Sequence, residues 1–310
     1  MKVYHYSHIG TRDNQEDALY CGNGMYLVCD GMGGHAKGEV ASNYIVNHIA
    51  QNAPAIVTKQ AIQETLVSVQ EQLNQSYGYE PETTGMGTTF CGIFTSADSL
   101  YMAYAGDSRI YWVKPAAGKA WHTWDHSLVG ELVKQGEITR EEGRKHPMGN
   151  RISRAFIANS DNKTVVPDIF RADTIEKGDI FLICSDGVTE AWNDNDLVAL
   201  LCDTTIDASQ KLAIIKDFCA AESKDNNTAI LLEAETSDIL QSGNNEEIEW
   251  LPVSVFGVTK PIPPSQPKPY NNNYDEHHEN PNSVVRPVLY IVALLLLVSL
   301  IFVLKKILFK

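Results

Sequence analysis

The chain has 310 residues, 44% of them hydrophobic, which is ample for one or two domains with a buried core. Its formal net charge is −14, from 39 acidic and 25 basic side chains. That balance argues against a nucleic-acid partner, whose phosphates require Lys/Arg patches. The six cysteines (Cys21, Cys29, Cys91, Cys184, Cys202 and Cys219) show no C-x-x-C spacing, and Cys29 and Cys184 fall inside apolar runs. They read as buried, reduced thiols in a reducing compartment. The start of the chain, Met1-Lys-Val-Tyr-His-Tyr, has no apolar segment of the kind a signal peptide needs.

In chain order, residues 3–9 predict a first strand, followed by a polar turn from Arg12 to Asp17. The apolar run Met25-Tyr-Leu-Val-Cys29 predicts a buried strand that stops at Asp30-Gly31-Met32-Gly33-Gly34-His35. An Asp at a strand end is held rigidly with its carboxylate in the open. The glycines beside it leave the backbone bare, so carbonyl oxygens can approach an ion. A hard cation such as Mg2+ or Mn2+ wants that donor set. A plain tight turn with Asp as turn former is the competing reading.

Residues 38–53 and 58–77 predict two helices, the first stopped by Pro54 and the second with Ile62, Leu66, Val69 and Leu73 on its inner face. Strand-like stretches follow near 87–95, 100–105, 109–114 and 120–124. A polar segment runs from Asp125 to Asn162 with short helical patterns at 131–134 and 139–144. Phe181-Leu-Ile-Cys184 predicts a second buried strand ending in Asp-Gly. Helical patterns then cover 188–192, 194–202 and 206–220, the last with Leu212, Ile215 and Phe218 inward, and a strand at 227–233 closes the globular part. Two helices, a strand meander, then a further strand-and-helix group predict a layered α+β fold.

The composition changes after residue 234. Residues 235–286 are rich in Pro and Asn and read as a semi-extended linker, with an apolar island at Trp250 to Val258 that can dock on the domain. The pair His277-His278 lacks companions for a metal site. Residues 287–304 predict a transmembrane helix and 305–310 a basic tail. The 17 uncharged residues from Val288 to Leu304 span ~25 Å as a helix, near the short limit for a bilayer. A C-terminal core helix is the alternative, but it should show a polar face, and this run offers only Ser299.

Acids punctuate the strand ends throughout the globular part. Arg12-Asp-Asn-Gln-Glu16-Asp17 precedes the first Asp-Gly turn, Gly106-Asp107-Ser108-Arg109 follows the meander's middle strand, Ser185-Asp186-Gly187 ends the second buried strand, and Asp225-Asn226-Asn227-Thr228 precedes the last one. Acids placed this way suggest convergence on one site. The order R-x-x-x-E-D, D-G-M-G-G-H, G-x-G-T-T, G-D-S-R, S-D-G and D-N-x-T resembles the metal-dependent protein Ser/Thr phosphatases of type 2C, the PPM family, and most of all its bacterial members, over residues 1–234.

The resemblance implies an α-β-β-α sandwich of four layers, two central antiparallel sheets flanked by helices. It implies hydrolysis of phosphoserine and phosphothreonine on proteins by water activated between two Mn2+ or Mg2+ ions. Asp30 would bridge both ions and the Gly31 carbonyl would complete one shell. Asp186 and Asp225 would hold the other ion, with Glu16 and Asp17 orienting waters around the pair. Arg12 would grip the substrate phosphate, which a guanidinium does bidentately. Asp107 would help Asp186 hold a third, weaker ion, while Arg109 supports the fold. The polar segment after Asp125 corresponds to the family's mobile flap. There the sequence departs from the family: Phe156-Ile157 stands where Leu-Gly usually follows Arg151-Ile-Ser-Arg154-Ala155. A second departure is Met32, which occupies the position of a histidine proposed as general acid in eukaryotic relatives. Met donates no proton, so leaving-group protonation must come from elsewhere. His35 reads as a loop histidine, and the Gly85 to Thr89 stretch as the tight start of a strand.

The expected partners are phosphorylated proteins and a cognate Ser/Thr kinase. Charge flanking the apolar run would put the C-terminus inside. The missing export signal and cytosolic substrates favour instead a tail anchor with the catalytic domain in the cytoplasm. The rival readings are a phosphatase-like binding module without activity at the membrane, a relative with a different phosphoprotein target, and a membrane adaptor whose working part is the linker.

Overall fold

Alternation along the buried strands decides the architecture. In Ile180-Phe-Leu-Ile-Cys184, residues 180, 182 and 184 enter one core and 181 and 183 another; in Ala229-Ile-Leu-Leu232 the same split recurs. A strand apolar on both faces needs a layer on each side. The computed structural model describes residues 1–33, 37–149, 151–172, 174–235, 240–241 and 248–256.

The chain begins with β1 (Lys2–His8), then a hairpin of β2 (Asp17–Gly22) and β3 (Met25–Met32). Helices α1 (Gly38–Gln51) and α2 (Lys59–Tyr77) follow. A meander runs through β4 (Gly87–Thr88), β5 (Phe90–Thr95), β6 (Leu100–Ala105), β7 (Arg109–Lys114) and β8 (Lys119–His122). The polar segment carries α3 (Leu128–Lys134), α4 (Arg140–Arg144) and β9 (Phe156–Ile157). Then come β10 (Asp168–Arg171), β11 (Thr174–Ile175) and β12 (Ile180–Cys184). Helices α5 (Asp186–Ala191), α6 (Asp194–Cys202) and α7 (Ala208–Glu222) lead into β13 (Asn227–Glu233), with short strands β14 (Leu240–Gln241) and β15 (Leu251–Pro252) after it.

One sheet has the order β1-β13-β12-β7-β8-β15; the other runs β10-β6-β5-β3-β4-β9, with β2 also on β3. Their pairings are antiparallel throughout. Three cores separate four layers. Leu27 and Cys29 pack with Ile45, Ile49, Leu66 and Leu73 of α1 and α2. Val28, Trp112, Phe181 and Ile230 fill the space between the sheets. Leu182, Leu231, Leu197 and Ile215 join the other sheet to α6 and α7. Each such aliphatic side chain contributes about 1.5–3 kcal/mol by leaving water. The expected sandwich with two antiparallel sheets is therefore present.

Several local expectations change. Strand β2 begins at Asp17, where the sequence suggested only a turn, because Ala18 to Gly22 pair with Met25 to Cys29. The stretch 87–95 breaks at Thr89, whose N–H donates to the Asp30 carbonyl (2.9 Å) and whose hydroxyl accepts from the Asp30 N–H (3.0 Å). Phe218 is not inward: it is 42% exposed and lies over Trp192, ring centres 4.7 Å apart. The apolar island does dock: β15 pairs with β8, and Val253 and Phe256 are buried in the core beneath α6. His35, the linker apart from residues 235, 240–241 and 248–256, His277-His278 and the apolar run at 287–304 lie outside the described residues. Among the described residues no helix is long and apolar enough to cross a membrane.

Candidate active site

Asp17 stands directly across the β2–β3 ladder from Asp30, so both carboxylates leave the same face of the sheet. Like charges in that position destabilise a sheet unless a cation lies between them. Asp186 reaches the same place from the other sheet, as the first residue of α5, immediately after β12. Its N-terminal neighbour Ser185 donates to Asp17 Oδ2 at 2.8 Å and accepts from the Thr228 N–H at 3.0 Å. That one hydroxyl ties together β2, α5 and β13.

The acids depress one another's ionisation. Asp30 and Asp186 stand close enough for each to govern the other's ionisation. Burial, then Asp186, Asp17 and Asp107, hold the Asp30 carboxyl far above the usual range. Asp186 is raised by burial and by Asp225, Glu190 and Asp125, against the hydrogen bond with Asp30. Asp17 is pushed up to about 7 by burial, with Asp186 and Asp225 adding to it although Ser185 and Thr228 pull it down. Asp107 is pushed up to about 8 by burial and by Asp186 and Asp125. Glu16 is raised by burial and by Glu39.

Glycine and backbone contacts hold this cluster in place. A side chain at Gly31 would collide with the Gly38 carbonyl at the start of α1 and with the Glu16 carbonyl. The same Glu16 carbonyl accepts from the Gly31 N–H (3.1 Å) and from Ser42 Oγ (2.5 Å). Asn226 accepts from the Glu16 N–H and donates to the Ile9 and Asn14 carbonyls, pinning the Arg12 turn beside the loop that carries Asp225. Arg109 does what the sequence suggested: it binds Asp125 bidentately at 2.6 and 2.7 Å and reaches Asp194 at 2.8 Å. Burial pushes Asp194 up, but Arg109, His122 and Arg140 outweigh it and hold the carboxyl well below its usual range.

A cleft of about 890 Å³ exposes Arg12, Asp107, Asp186 and Asp225 together, with Asp30 and Asp17 behind Asp186. Arg12 and Asp225 are not independent there. Arg12 Nη2 donates to Asp225 Oδ2 at 2.6 Å, while Asp225 Oδ1 accepts from the Asn226 N–H at 2.8 Å. Met32 ends β3 opposite Gly87, away from any proton-donating role. Ser185, Asn226 and Glu190 escaped the sequence reading as site residues. Glu190 accepts from Ser223 Oγ (2.8 Å) and from the N–H groups of Lys224 (3.1 Å) and Asp225 (3.3 Å). Its only sequence signal is its place four residues after Asp186, one helical turn along the same face.

Among the described residues no group of three His, Cys, Asp or Glu side chains is disposed to hold an ion as it stands. The donor chemistry nevertheless fits a hard divalent cation. The ligand candidates are all oxygen, Asp17 Oδ1 is buried without a partner, and the Asp30–Asp186 contact is one that a cation would relieve. Asp225 accepts one bond on each oxygen, from Arg12 and from the Asn226 N–H, which leaves a lone pair on each for an ion.

The family comparison decides what this acidic cleft belongs to: the protein phosphatase 2C family matches residues 5–224. The chain belongs to that family. The serine/threonine phosphatase stp of Listeria monocytogenes is 30% identical over 228 residues, which cover 71% of this chain and 87% of that protein. The serine/threonine protein phosphatase PstP of Mycobacterium tuberculosis is 32% identical over 194 residues, 62% of this chain; the chain spans only 37% of that protein's length. Among solved structures, the PPM Ser-Thr phosphatase MsPP of Mycobacterium smegmatis, in complex with cacodylate, aligns with a TM-score of 0.66 at 26% identity, over 76% of this chain and 99% of that one. The catalytic domain of PstP in complex with two manganese ions aligns with a TM-score of 0.64 at 26% identity, over 77% of this chain and 98% of that one. In this family member the match contains Arg12, Glu16, Asp17, Asp30, Asp107 and Asp186 and stops one residue before Asp225.

Proposed function

We propose that this protein hydrolyses phosphoserine and phosphothreonine on other proteins, using Mn2+ or Mg2+, from a position tethered at the membrane. The observation that carries the reading is the gathering of Asp17, Asp30, Asp107 and Asp186 at one point, with Arg12 at the mouth of the cleft. Asp30, Asp186 and Asp225, with the Gly31 carbonyl, are the residues that would hold two ions; Glu16 and Asp17 would order the water around them. Asp107 beside Asp186 would serve a third. A bound pair of divalent ions supplies an acidic water and charge compensation for a phosphoryl group. Arg12 binds the phosphate and turns it toward the acids, and Ser185 keeps Asp17 aimed at the cluster. Met32 leaves the proton for the departing serine or threonine oxygen to be delivered from solvent.

The relatives' names support phosphorylated proteins as substrates, and a Ser/Thr kinase as the opposing activity follows from that substrate class. The apolar run at residues 287–304 supports a single tail anchor, and phosphorylated proteins as substrates favour a cytoplasmic position for the acidic catalytic domain.

The test is phosphate release from a phosphothreonine peptide by the full chain in detergent, with Mn2+, with EDTA and with Asp186→Ala. Release that needs the metal and disappears in the variant is expected. A folded protein that releases no phosphate at any metal concentration overturns the enzyme and leaves a phosphopeptide-binding module at the membrane.

A further inference from the structure

We propose that residues 248–256 form a strap that fixes the flap beside the catalytic cleft and thereby sets how the domain accepts a peptide. The effect on substrate rests on the phosphatase reading; the mechanical part does not. The strap lies beyond the family match, which ends at residue 224. It docks by adding β15 to the open edge of β8, with Leu251 opposite Ala120 and the Val253 N–H donating to the Gly118 carbonyl at 2.9 Å. Trp250 packs edge-on to Trp112 at 4.6 Å between ring centres, under the Lys119 ammonium at 4.5 Å. Phe256 is 1% exposed.

The contact that matters is made by Arg140, the first residue of α4. Its guanidinium lies 4.8 Å from the centre of the Trp124 ring and 5.2 Å from that of Phe256, and it donates to Asp194 Oδ2 at 2.5 Å. A cation held between two aromatic faces and a carboxylate has little freedom. Asp194 in turn receives Arg109, which grips Asp125, a neighbour of Asp107 and Asp186. Phe256, Arg140, Asp194, Arg109 and Asp125 thus form a series of contacts that runs from the strap to the wall of the catalytic cleft.

The flap also has somewhere to go. A second cavity, about 340 Å³, lies on its far side, walled by Ile138 and Thr139 of the flap and by Glu249 and Leu251 of the strap. His122, Trp124, Val133 and Arg140 line both this cavity and the catalytic cleft, so they form the partition between the two spaces. His122 faces it half-satisfied: Nδ1 pairs with the Thr123 carbonyl at 2.6 Å and Nε2 has no partner. Helix α4 is held at its far end by Arg144, which donates to the Thr189, Glu190 and Trp192 carbonyls, so Arg140 is the clamp at the end that faces the strap. In sequence the strap continues into the Pro-rich linker, so a pull on the linker would act on it first.

The test is hydrogen exchange, read by mass spectrometry on the full chain in detergent, for the wild type, Phe256→Ala, Phe256→Tyr and Trp250→Ala. Phe256→Ala and Trp250→Ala should speed exchange across 128–144 by roughly fivefold while β3 and β12 stay protected, and Phe256→Tyr should behave as wild type. With a phosphothreonine peptide, the two alanine variants should raise KM by about three- to tenfold, with turnover of para-nitrophenyl phosphate nearly unchanged. Unchanged exchange in 128–144, or a uniform rise through the whole domain, overturns the strap and makes Phe256 an ordinary core residue. If Phe256→Ala does not fold, Trp250→Ala decides by the same criteria. Faster flap exchange in a protein that turns over no phosphate ester, even as wild type, keeps the strap and removes the phosphatase reading.

Discussion

The guanidinium of Arg12 and the carboxylate of Asp225 meet at 2.6 Å, although 213 residues separate them in the chain. The turns that carry them are sewn together by a second bond, from the Thr11 N–H to the Lys224 carbonyl at 3.1 Å. On the proposed function Arg12 would have two anionic claimants, Asp225 and an incoming phosphate. Replacing it with alanine should raise KM for a phosphopeptide by about tenfold or more with a smaller change in kcat, because a charge-assisted phosphate contact is lost. The same change frees Asp225, so the half-saturating Mn2+ concentration should fall. Steady-state kinetics across a Mn2+ series reads both; a rise in the Mn2+ requirement would mean that Arg12 organises Asp225 rather than competing for it.

Asp186 sits beside Asp30, with Asp225, Glu190 and Asp125 adding to the repulsion on it. Asp186→Asn should abolish metal-dependent turnover and yet stabilise the metal-free protein. In EDTA its melting temperature should rise by about 2–4 °C for each ~1 kcal/mol of repulsion relieved. Mn2+ should raise the melting temperature of the wild type and leave the variant nearly unmoved. A variant that melts lower than wild type in EDTA would show that Asp186 is a structural residue first.

Glu190 gathers three donors from the Asp225 loop. Glu190→Ala should loosen that loop and weaken Mn2+ binding by roughly 10- to 100-fold, the usual cost of removing a group that orients a ligand. Calorimetric titration of Mn2+ checks it, and an unchanged affinity would place Asp225 outside the metal site.

Burial holds the His122 imidazole down at about 4, with Arg140 and Arg109 opposing Asp194 around it. Its ordinary value is near 6.5, so between pH 6.5 and 4 the unfolded chain takes up a proton that the folded one does not. Stability should therefore fall with pH across that window, by about 3 kcal/mol for this group, and show no contribution from it above pH 6.5. Denaturant unfolding of the wild type and His122→Gln over pH 4–7 measures the difference. Equal slopes in the two proteins would assign the acid sensitivity elsewhere.

The proposed anchor is testable by fractionation. Deleting residues 287–310 should move the protein from membranes to the soluble fraction and leave Mn2+-dependent turnover intact, since the apolar run supplies the only ~20-residue hydrophobic stretch in the sequence. Membrane association that survives the deletion would point to another attachment.

What the sequence determined by itself was local and ordered. Runs such as Phe181 to Cys184 and Ala229 to Leu232 announced strands buried on both faces, because every residue in them is apolar. One Asp-Gly after a buried strand can be a plain turn; the recurrence of acids at several strand ends is what suggested a site. Motif order was enough to suggest the family, and each motif lies on a turn whose geometry needs only its own few residues. The tertiary structure decided everything that depends on distance across the chain. It placed Asp17 opposite Asp30 through a strand the sequence had not revealed, and made Ser185 the hydroxyl that joins three elements. It also brought Glu190 under the Asp225 loop, engaged Arg12 with Asp225, and returned residues 248–256 to the edge of β8. The apolar island at 250–258 hinted at docking and Glu190 at its helical spacing from Asp186, but no short stretch named the partners of either. A side chain's neighbours across a sandwich are fixed by strand order and register, which arise from burying three cores at once rather than from any short stretch of residues.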